Sequence, residues 1–226
     1  LCIKSGNCAI LKGGSEAMKT NKKIFEIIYQ AAAAAGMPEN CMFQIEARSD
    51  ITELLECHES VDLLIPRGSN EFVQYIMNHT KIAVMGHADG ICHIYADKTL
   101  DLDKAIPVIL DSKTQYTAVC NATETLLVHK EIAGELLPRL NEALRAKNVE
   151  VRGTKEVRQI VECEPATEED FSTEYLDLII SVKIVEDIQE AVDHINKYGS
   201  HHTDCILTED PKAARLFMQY VDSAGG

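Results

Sequence analysis

Short aliphatic runs and longer amphipathic stretches take turns along this chain. Asn7–Leu11 reads as a strand, turned by Gly13-Gly14, with Ser15 as the cap of a long helix from Glu16 to about Ala35. Met42–Ile45 reads as a second strand, followed by a helix from about Asp50 to Cys57. Val61-Asp62-Leu63-Leu64-Ile65 has the pattern of a buried strand closed by Pro66-Arg67-Gly68-Ser69, with a helix from Asn70 to about Asn78 and a strand over Lys81–Met85. This alternation predicts a parallel sheet with helices on both faces.

Gly86-His87-Ala88-Asp89-Gly90 breaks the pattern, and a domain boundary is expected there. Beyond it, strands are expected at Ile91–Ala96, Thr125–His129, Val149–Val151, Leu176–Val185 and Cys205–Leu207. Helices are expected over Asp101–Lys113, Ala133–Ala146, Ile188–Lys197 and Pro211–Val221. Glu162–Ser172 is acidic and irregular, the pattern of an exposed loop. The expectation is therefore an α/β fold of two units in tandem. Residues 1–88 are built like part of a dinucleotide-binding domain, and residues 89–226 form a second domain.

At 226 residues, 46% hydrophobic and 26% charged, the composition is that of a globular protein. The formal net charge of −14 argues against a nucleic-acid partner, whose phosphates the surface would repel, and against an anionic membrane face. No apolar stretch reaches the length of a membrane-spanning helix. Eight cysteines at irregular spacing, with no Cys-x-x-Cys pair, suggest free thiols in a reducing cytoplasm. The chain starts without methionine and stops just after a helix where a further strand is expected, so it reads as a piece of a longer polypeptide.

Candidate chemistry begins with Cys120, in Thr117-Ala118-Val119-Cys120-Asn121-Ala122-Thr123-Glu124-Thr125. Small residues before the thiol and an apolar run after it place it in a loop or at a helix start. Backbone N–H groups there would favour the nucleophilic thiolate. Read alone, it fits a buried structural cysteine better than a nucleophile, and the rest of the chain tips the balance. Leu11-Lys12-Gly13-Gly14-Ser15-Glu16 can bring backbone close to a phosphate, with Lys12 and Glu16 as partners for ribose hydroxyls; the same residues also suit a plain strand-to-helix turn. Gly68 and Ser69, beside Arg67, suit either a diphosphate cradle or an ordinary turn. His87 can act as a base with Asp89 orienting it, or Asp89 can simply bind turn N–H groups. Glu174 can hold a second ribose or sit solvated beside the acidic loop. His201 and His202 are adjacent and point to opposite sides of an extended chain, so no metal centre is expected.

In order, the chain carries Leu-Lys-Gly-Gly-Ser-Glu-Ala, Ile-Pro-Arg-Gly-Ser, Gly-His-Ala-Asp-Gly-Ile-Cys-His, Val-Cys-Asn-Ala-Thr-Glu-Thr-Leu-Leu-Val-His and Tyr-Gly-Ser-His-His-Thr-Asp-Cys-Ile-Leu-Thr-Glu-Asp. This series resembles the γ-glutamyl phosphate reductase family (glutamate-5-semialdehyde dehydrogenase) of the aldehyde dehydrogenase superfamily, from Leu1 to about Ala224. The resemblance implies an aldehyde-dehydrogenase-like fold of two three-layer α/β lobes with mostly parallel sheets. It implies NADPH-dependent reduction of γ-glutamyl phosphate to glutamate 5-semialdehyde in proline biosynthesis, by a cytoplasmic homo-oligomer. It makes Cys120 the catalytic thiol. Lys12, Ser15 and Glu16 fall where the superfamily binds the adenosine ribose, Gly68 and Ser69 near the diphosphate, and Glu174 at the nicotinamide ribose. His87 and Asp89, with Asn121, fall in the substrate cleft, where many superfamily members carry a glutamate base that this chain lacks. The family extends beyond both ends of the chain, with an oxyanion-forming asparagine region upstream and an oligomerisation segment downstream. The readings kept beside this one are the reductase portion of a bifunctional pyrroline-5-carboxylate synthase and a catalytically silent nucleotide-binding fragment. An oxidising aldehyde dehydrogenase would need the missing glutamate.

Overall fold

A computed structural model describes residues 2–45, 49–86 and 89–225. The chain divides into two compact units, residues 1–86 and 87–226.

The first unit runs α1 (Cys2–Ser5), β1 (Ala9–Lys12), a 3-10 turn (Ser15–Ala17), α2 (Met18–Ala34), β2 (Met42–Ile45), α3 (Ser49–Glu56), β3 (Leu63–Leu64), α4 (Asn70–Asn78) and β4 (Ala83–Val84). Strand β1 pairs in parallel with β2, Ala9 opposite Met42, and β3 with β4, Leu63 opposite Ala83. The two pairs form separate two-stranded sheets rather than one ladder. Ser15 does not cap the long helix. A 3-10 turn over Ser15–Ala17 precedes that helix, so Ser15 lies inside the turn, and neither Gly14 nor Ala17 makes a side-chain cap bond. The segment expected as a buried strand shrinks to Leu63–Leu64, with Leu63 and Ile65 more than 40% exposed, because a two-stranded ladder offers little surface to cover it. Only Met42, Leu55, Val73, Ile76 and Ile82 are buried apolar residues among those described in this unit.

The second unit runs β5 (Cys92–Ala96), α5 (Leu102–Thr114), β6 (Thr123–His129), α6 (Lys130–Ala146), β7 (Glu150–Gly153), α7 (Lys155–Arg158), β8 (Glu164–Pro165), a 3-10 turn (Glu169–Ser172), β9 (Ile179–Val185), α8 (Ile188–Tyr198), β10 (Asp204–Leu207) and α9 (Pro211–Tyr220). Its six strands lie in the order β10-β5-β6-β9-β7-β8, all parallel. Successive side chains leave opposite faces of a strand, so Ile94, Leu126 and Ile180 pack with Ile109 of α5 and Leu136 and Leu140 of α6. Tyr95, Leu127 and Val185 pack with Val192 and Ile195 of α8 and Phe217 of α9. The sheet is thus buried on both faces, the condition under which parallel strands read as continuous apolar runs.

Two details depart from expectation. Strand β6 begins at Thr123, and its register with β5 shifts: Cys92 faces Thr123 while His93 faces Thr125, leaving Glu124 as an inserted residue. Segment 162–172 is not simply an exposed loop. It contains β8 and a turn whose Asp170 and Phe171 are buried. Asp170 accepts hydrogen bonds from Arg152 (2.8 Å), from Thr167 backbone and hydroxyl (2.7 Å each) and from the Tyr175 hydroxyl (2.8 Å). Burial works to raise its pKa, but these bonds prevail and hold the carboxyl below the usual range. Among the described residues no helix is long and apolar enough to cross a membrane.

Candidate active site

In the second unit, the residues of interest precede strands rather than follow them. Gly90 lies before β5, Cys120 before β6, Glu174 before β9, and His202 before β10. These four strands are neighbours in one parallel sheet, so their starts lie at the same edge.

Cys120 sits in the turn between α5 and β6, closed by bonds from Val119 N–H to the Tyr116 carbonyl (3.4 Å) and Ala122 N–H to the Val119 carbonyl (3.0 Å). Its thiol is free and half-buried. Two neighbours fix the turn from β5. The Cys92 thiol donates to the Cys120 carbonyl at 3.3 Å. A Cβ at Gly90 would fall 2.0 Å from that same carbonyl oxygen and 2.8 Å from Glu174 Oε1. Only glycine leaves room there, and the Cys120 backbone and the Glu174 carboxylate converge on it. Cys92 is buried, and burial pushes its thiol up to about 12, so it is a donor and not a rival nucleophile. His202 Nδ1 lies 3.7 Å from Cys92 Sγ, and the Ser200 hydroxyl accepts from Ile91 N–H at 2.9 Å.

Beneath this edge lies a buried pair. Lys113, in the last turn of α5, donates to Glu124 Oε2 at 2.6 Å, and the two side chains are 0% and 1% exposed. Burial pushes the lysine down and the carboxyl up, while each partner opposes the shift of the other.

The first unit holds a cleft of about 510 Å³ lined by Lys12, Ser15, Glu16, Gln44, Arg67 and Phe72, among others. It opens at the carboxyl ends of β1, β2 and β3. Its size falls in the range of small-ligand sites. Lys12 Nζ donates back to the Gly13 carbonyl at 2.9 Å, and the Glu16 carboxylate folds over Gly14, where a Cβ would meet Glu16 Oε1 at 2.0 Å. A cationic donor and a carboxylate acceptor beside a glycine turn suit the hydroxyls of an adenosine ribose. The residues present therefore fit one end of a nicotinamide dinucleotide.

Lys12, Ser15 and Glu16 thus share one cleft, and Cys120 and Glu174 share one sheet edge. Gly68 and Ser69 do not line the cleft. The Ser69 hydroxyl accepts from Phe72 N–H at 3.3 Å as the cap of α4, and Gly68 lies over the Phe72 ring. Asn121 is exposed beside Cys120, and Asp89 is half-buried; His87 lies outside the described residues. Sequence reasoning did not single out Cys92, Lys113, Glu124 or Ser200. One signal existed for Lys113: it continues the buried stripe Ala105–Ile109 at helical spacing, where a charge needs a partner.

Residues 1–161 match the aldehyde dehydrogenase family. The chain is 56% identical, over 99% of its length, to a gamma-glutamyl phosphate reductase of Acetivibrio thermocellus, and 55% identical over 100% to gamma-glutamyl phosphate reductase 1 of Synechocystis. It spans about half of these relatives, 52% of each. The crystal structure of gamma-glutamyl phosphate reductase from Thermotoga maritima superposes with a TM-score of 0.96 at 43% identity, covering 100% of this chain and 55% of that one.

Proposed function

The chain belongs to the aldehyde dehydrogenase family, and from that premise we propose that it forms part of a γ-glutamyl phosphate reductase. The full-length protein reduces γ-glutamyl phosphate to glutamate 5-semialdehyde and releases phosphate, in proline biosynthesis. The observation that carries this reading is the Cys120 turn. A free, half-buried thiol is held at the sheet edge by Cys92 and Gly90, with the Glu174 carboxylate at the same point.

The chemistry asked of the residues is limited. The Cys120 thiolate attacks the acyl carbon; a C–S bond forms, and the C–O bond to phosphate breaks with its electron pair leaving on phosphate. Because phosphate is already a good leaving group, no general base is needed at this step, which suits a chain without a glutamate in the Gly86–Gly90 segment. The nicotinamide cofactor, when bound, supplies the hydride that reduces the thioester. Cys120 holds the acyl carbon through that reduction, and the C–S bond then breaks to free the aldehyde and restore the thiolate. Lys12, Ser15 and Glu16 hold the adenosine ribose, and Glu174 holds the nicotinamide ribose. Their task is to fix the distance over which hydride moves. Gly68 and Ser69 serve the diphosphate side through the shape of their turn. His87, Asp89 and Asn121 are assigned to the substrate cleft by resemblance to the family. The reading takes NADPH as the reductant, a cytoplasmic site of action and a homo-oligomeric full-length protein, all by resemblance to the family.

The test uses full-length protein. Cys120→Ala should lower NADPH-dependent reduction by about 10⁴-fold or more, as loss of a covalent nucleophile does, while NADPH binding followed by fluorescence persists. Retained turnover would overturn the reading. A tagging experiment separates it from a silent nucleotide-binding module: iodoacetamide should modify Cys120 faster than the other seven cysteines.

A further inference from the structure

We propose that the buried Lys113–Glu124 pair is a positioning device that clamps segment 174–177 to the strand leading from the nucleophile, and so sets the Glu174 carboxylate relative to Cys120. The role assigned to Glu174 rests on the reading above; the clamp itself does not.

Four observations converge. Glu124 is the inserted residue at the register shift of β6, four positions after Cys120. Bulges of this kind redirect a side chain, and they occur beside active sites. Its two oxygens then serve two different elements. Oε2 takes the Lys113 ammonium of α5 at 2.6 Å, while Oε1 faces the Leu176 N–H at a longer 3.5 Å. Lys113 reaches the same segment by a second route, its ammonium 5.9 Å from the centre of the Tyr175 ring. Leu176 holds a left-handed backbone, φ +54°, which a leucine rarely adopts unless surrounding contacts impose it.

The segment is pinned on its other side as well. The Tyr175 hydroxyl lies 2.7 Å from the Ser181 hydroxyl on β9 and 2.8 Å from Asp170. Tyr175 and Leu176 are thereby fixed from below, and the residue just before them, Glu174, meets the Gly90–Cys120 junction. Stability is a poor explanation for such a pair. Two charges out of water lose much hydration, and apolar side chains of similar volume commonly do as well or better. What apolar side chains cannot do is accept the Leu176 N–H and hold Tyr175 by charge at a fixed distance.

The decisive variant is the double change Lys113→Met with Glu124→Leu in full-length protein, with Glu124→Gln as the conservative partner that keeps an acceptor for Leu176. The double variant should fold and melt no lower than the parent. Amide exchange over 174–177 should speed up by about tenfold, the loss of one buried contact, while exchange in β6 stays put. KM for NADPH should rise by a similar factor of about ten with kcat changed far less. Alkylation of Cys120 should keep its rate. Glu124→Gln should recover most of the exchange protection and most of the affinity. Unchanged exchange over 174–177 in the double variant overturns the clamp. Should the double variant fail to fold, Lys113→Met alone decides, since it removes the 2.6 Å contact to Glu124: with a normal melting point, faster exchange over 174–177 and a raised KM for NADPH uphold the clamp, and parent-like values overturn it. If the parent itself binds no dinucleotide, the cofactor reading falls, and the exchange data still judge the clamp.

Discussion

The two units place their candidate chemistry at opposite ends of parallel strands. In the first, Lys12, Ser15, Glu16 and Arg67 surround a cleft at the carboxyl ends of β1–β3, the usual ligand position for open α/β sheets. In the second, Gly90, Cys120 and Glu174 gather at the amino ends of β5, β6 and β9. The supports differ as well. The second unit buries a six-stranded sheet on both faces. The first has two short ladders and a 17-residue helix, α2, that buries no residue, with Ile24, Ile27 and Ile28 between 42% and 56% exposed. A nucleophile must be held to within a fraction of an ångström, whereas a ribose contact tolerates more play. Under the proposed function, the rigid core lies beneath the residue that needs it.

Cutting one large apolar side chain in each unit separates the two kinds of packing. Leu126→Ala removes a fully buried side chain from β6 and should cost about 2–5 kcal/mol. Ile27→Ala on the open face of α2 should stay within about 0.5 kcal/mol. Denaturant melts of the two variants read this directly. A large loss from Ile27→Ala would mean that α2 is covered in solution and that the contrast in packing is false.

Acid is a second lever, because every buried polar or charged side chain among the described residues lies in the second unit. His194 is 5% exposed, and neither ring nitrogen has a partner. Burial, and after it the neighbouring His93 and Lys183, push its pKa down to about 3, with only Glu168 opposing. The unfolded chain therefore binds this proton near pH 6.5 and the folded unit does not. The stabilisation is complete above pH 6.5 and is lost as pH falls toward 3, by on the order of 4 kcal/mol at the acid end. His194→Phe, which keeps an aromatic against Phe171 and Tyr198, should flatten that limb of the stability curve. An unaltered acid limb would show that other groups cause it.

Gly90→Ala comes next in size. The new methyl carbon would stand 2.0 Å from the Cys120 carbonyl oxygen, so the turn that carries the proposed nucleophile must move. A displacement of about 1 Å at a reacting group costs about 10²-fold in kcat. Stopped-flow single turnovers would show whether the thiol-dependent step carries the loss; a normal rate would mean that the turn can yield without disturbing Sγ.

What could be read from the chain follows the same contrast. The strands of the second unit stand out because both faces are covered: Leu126-Leu127-Val128 is an unbroken apolar run, and Ile179–Val185 is apolar apart from Ser181 and Lys183. The short strands of the first unit were overdrawn, since an apolar run such as Val61–Ile65 carries no mark of how little surface will cover it. Ser15 had the residue type of a cap but not the position, which the tightened 3-10 turn decides. Glu124 was beyond reach. A one-residue insertion exists only relative to the partner strand, and the close approach at Gly90 involves a carbonyl thirty residues away in sequence. Cys120 itself was ambiguous locally, and its assignment as the nucleophile rests on the order of motifs around it.

The smallest effect belongs to the first unit's cleft, and it tests the division of labour most finely. Glu16 is exposed and reaches solvent as readily as a ribose, so its hydrogen bonds to a ligand replace bonds to water and gain only about 0.5–1.5 kcal/mol. Glu16→Ala should therefore raise KM for NADPH by about three- to tenfold. It should leave kcat alone, because the same contact is made before and during hydride transfer and lowers both levels equally. Varying NADPH at saturating acyl phosphate separates the two parameters. A fall in kcat as large as that in kcat/KM would show that the carboxyl-end cleft takes part in positioning the nicotinamide, and the two strand ends could no longer be assigned to binding and to chemistry.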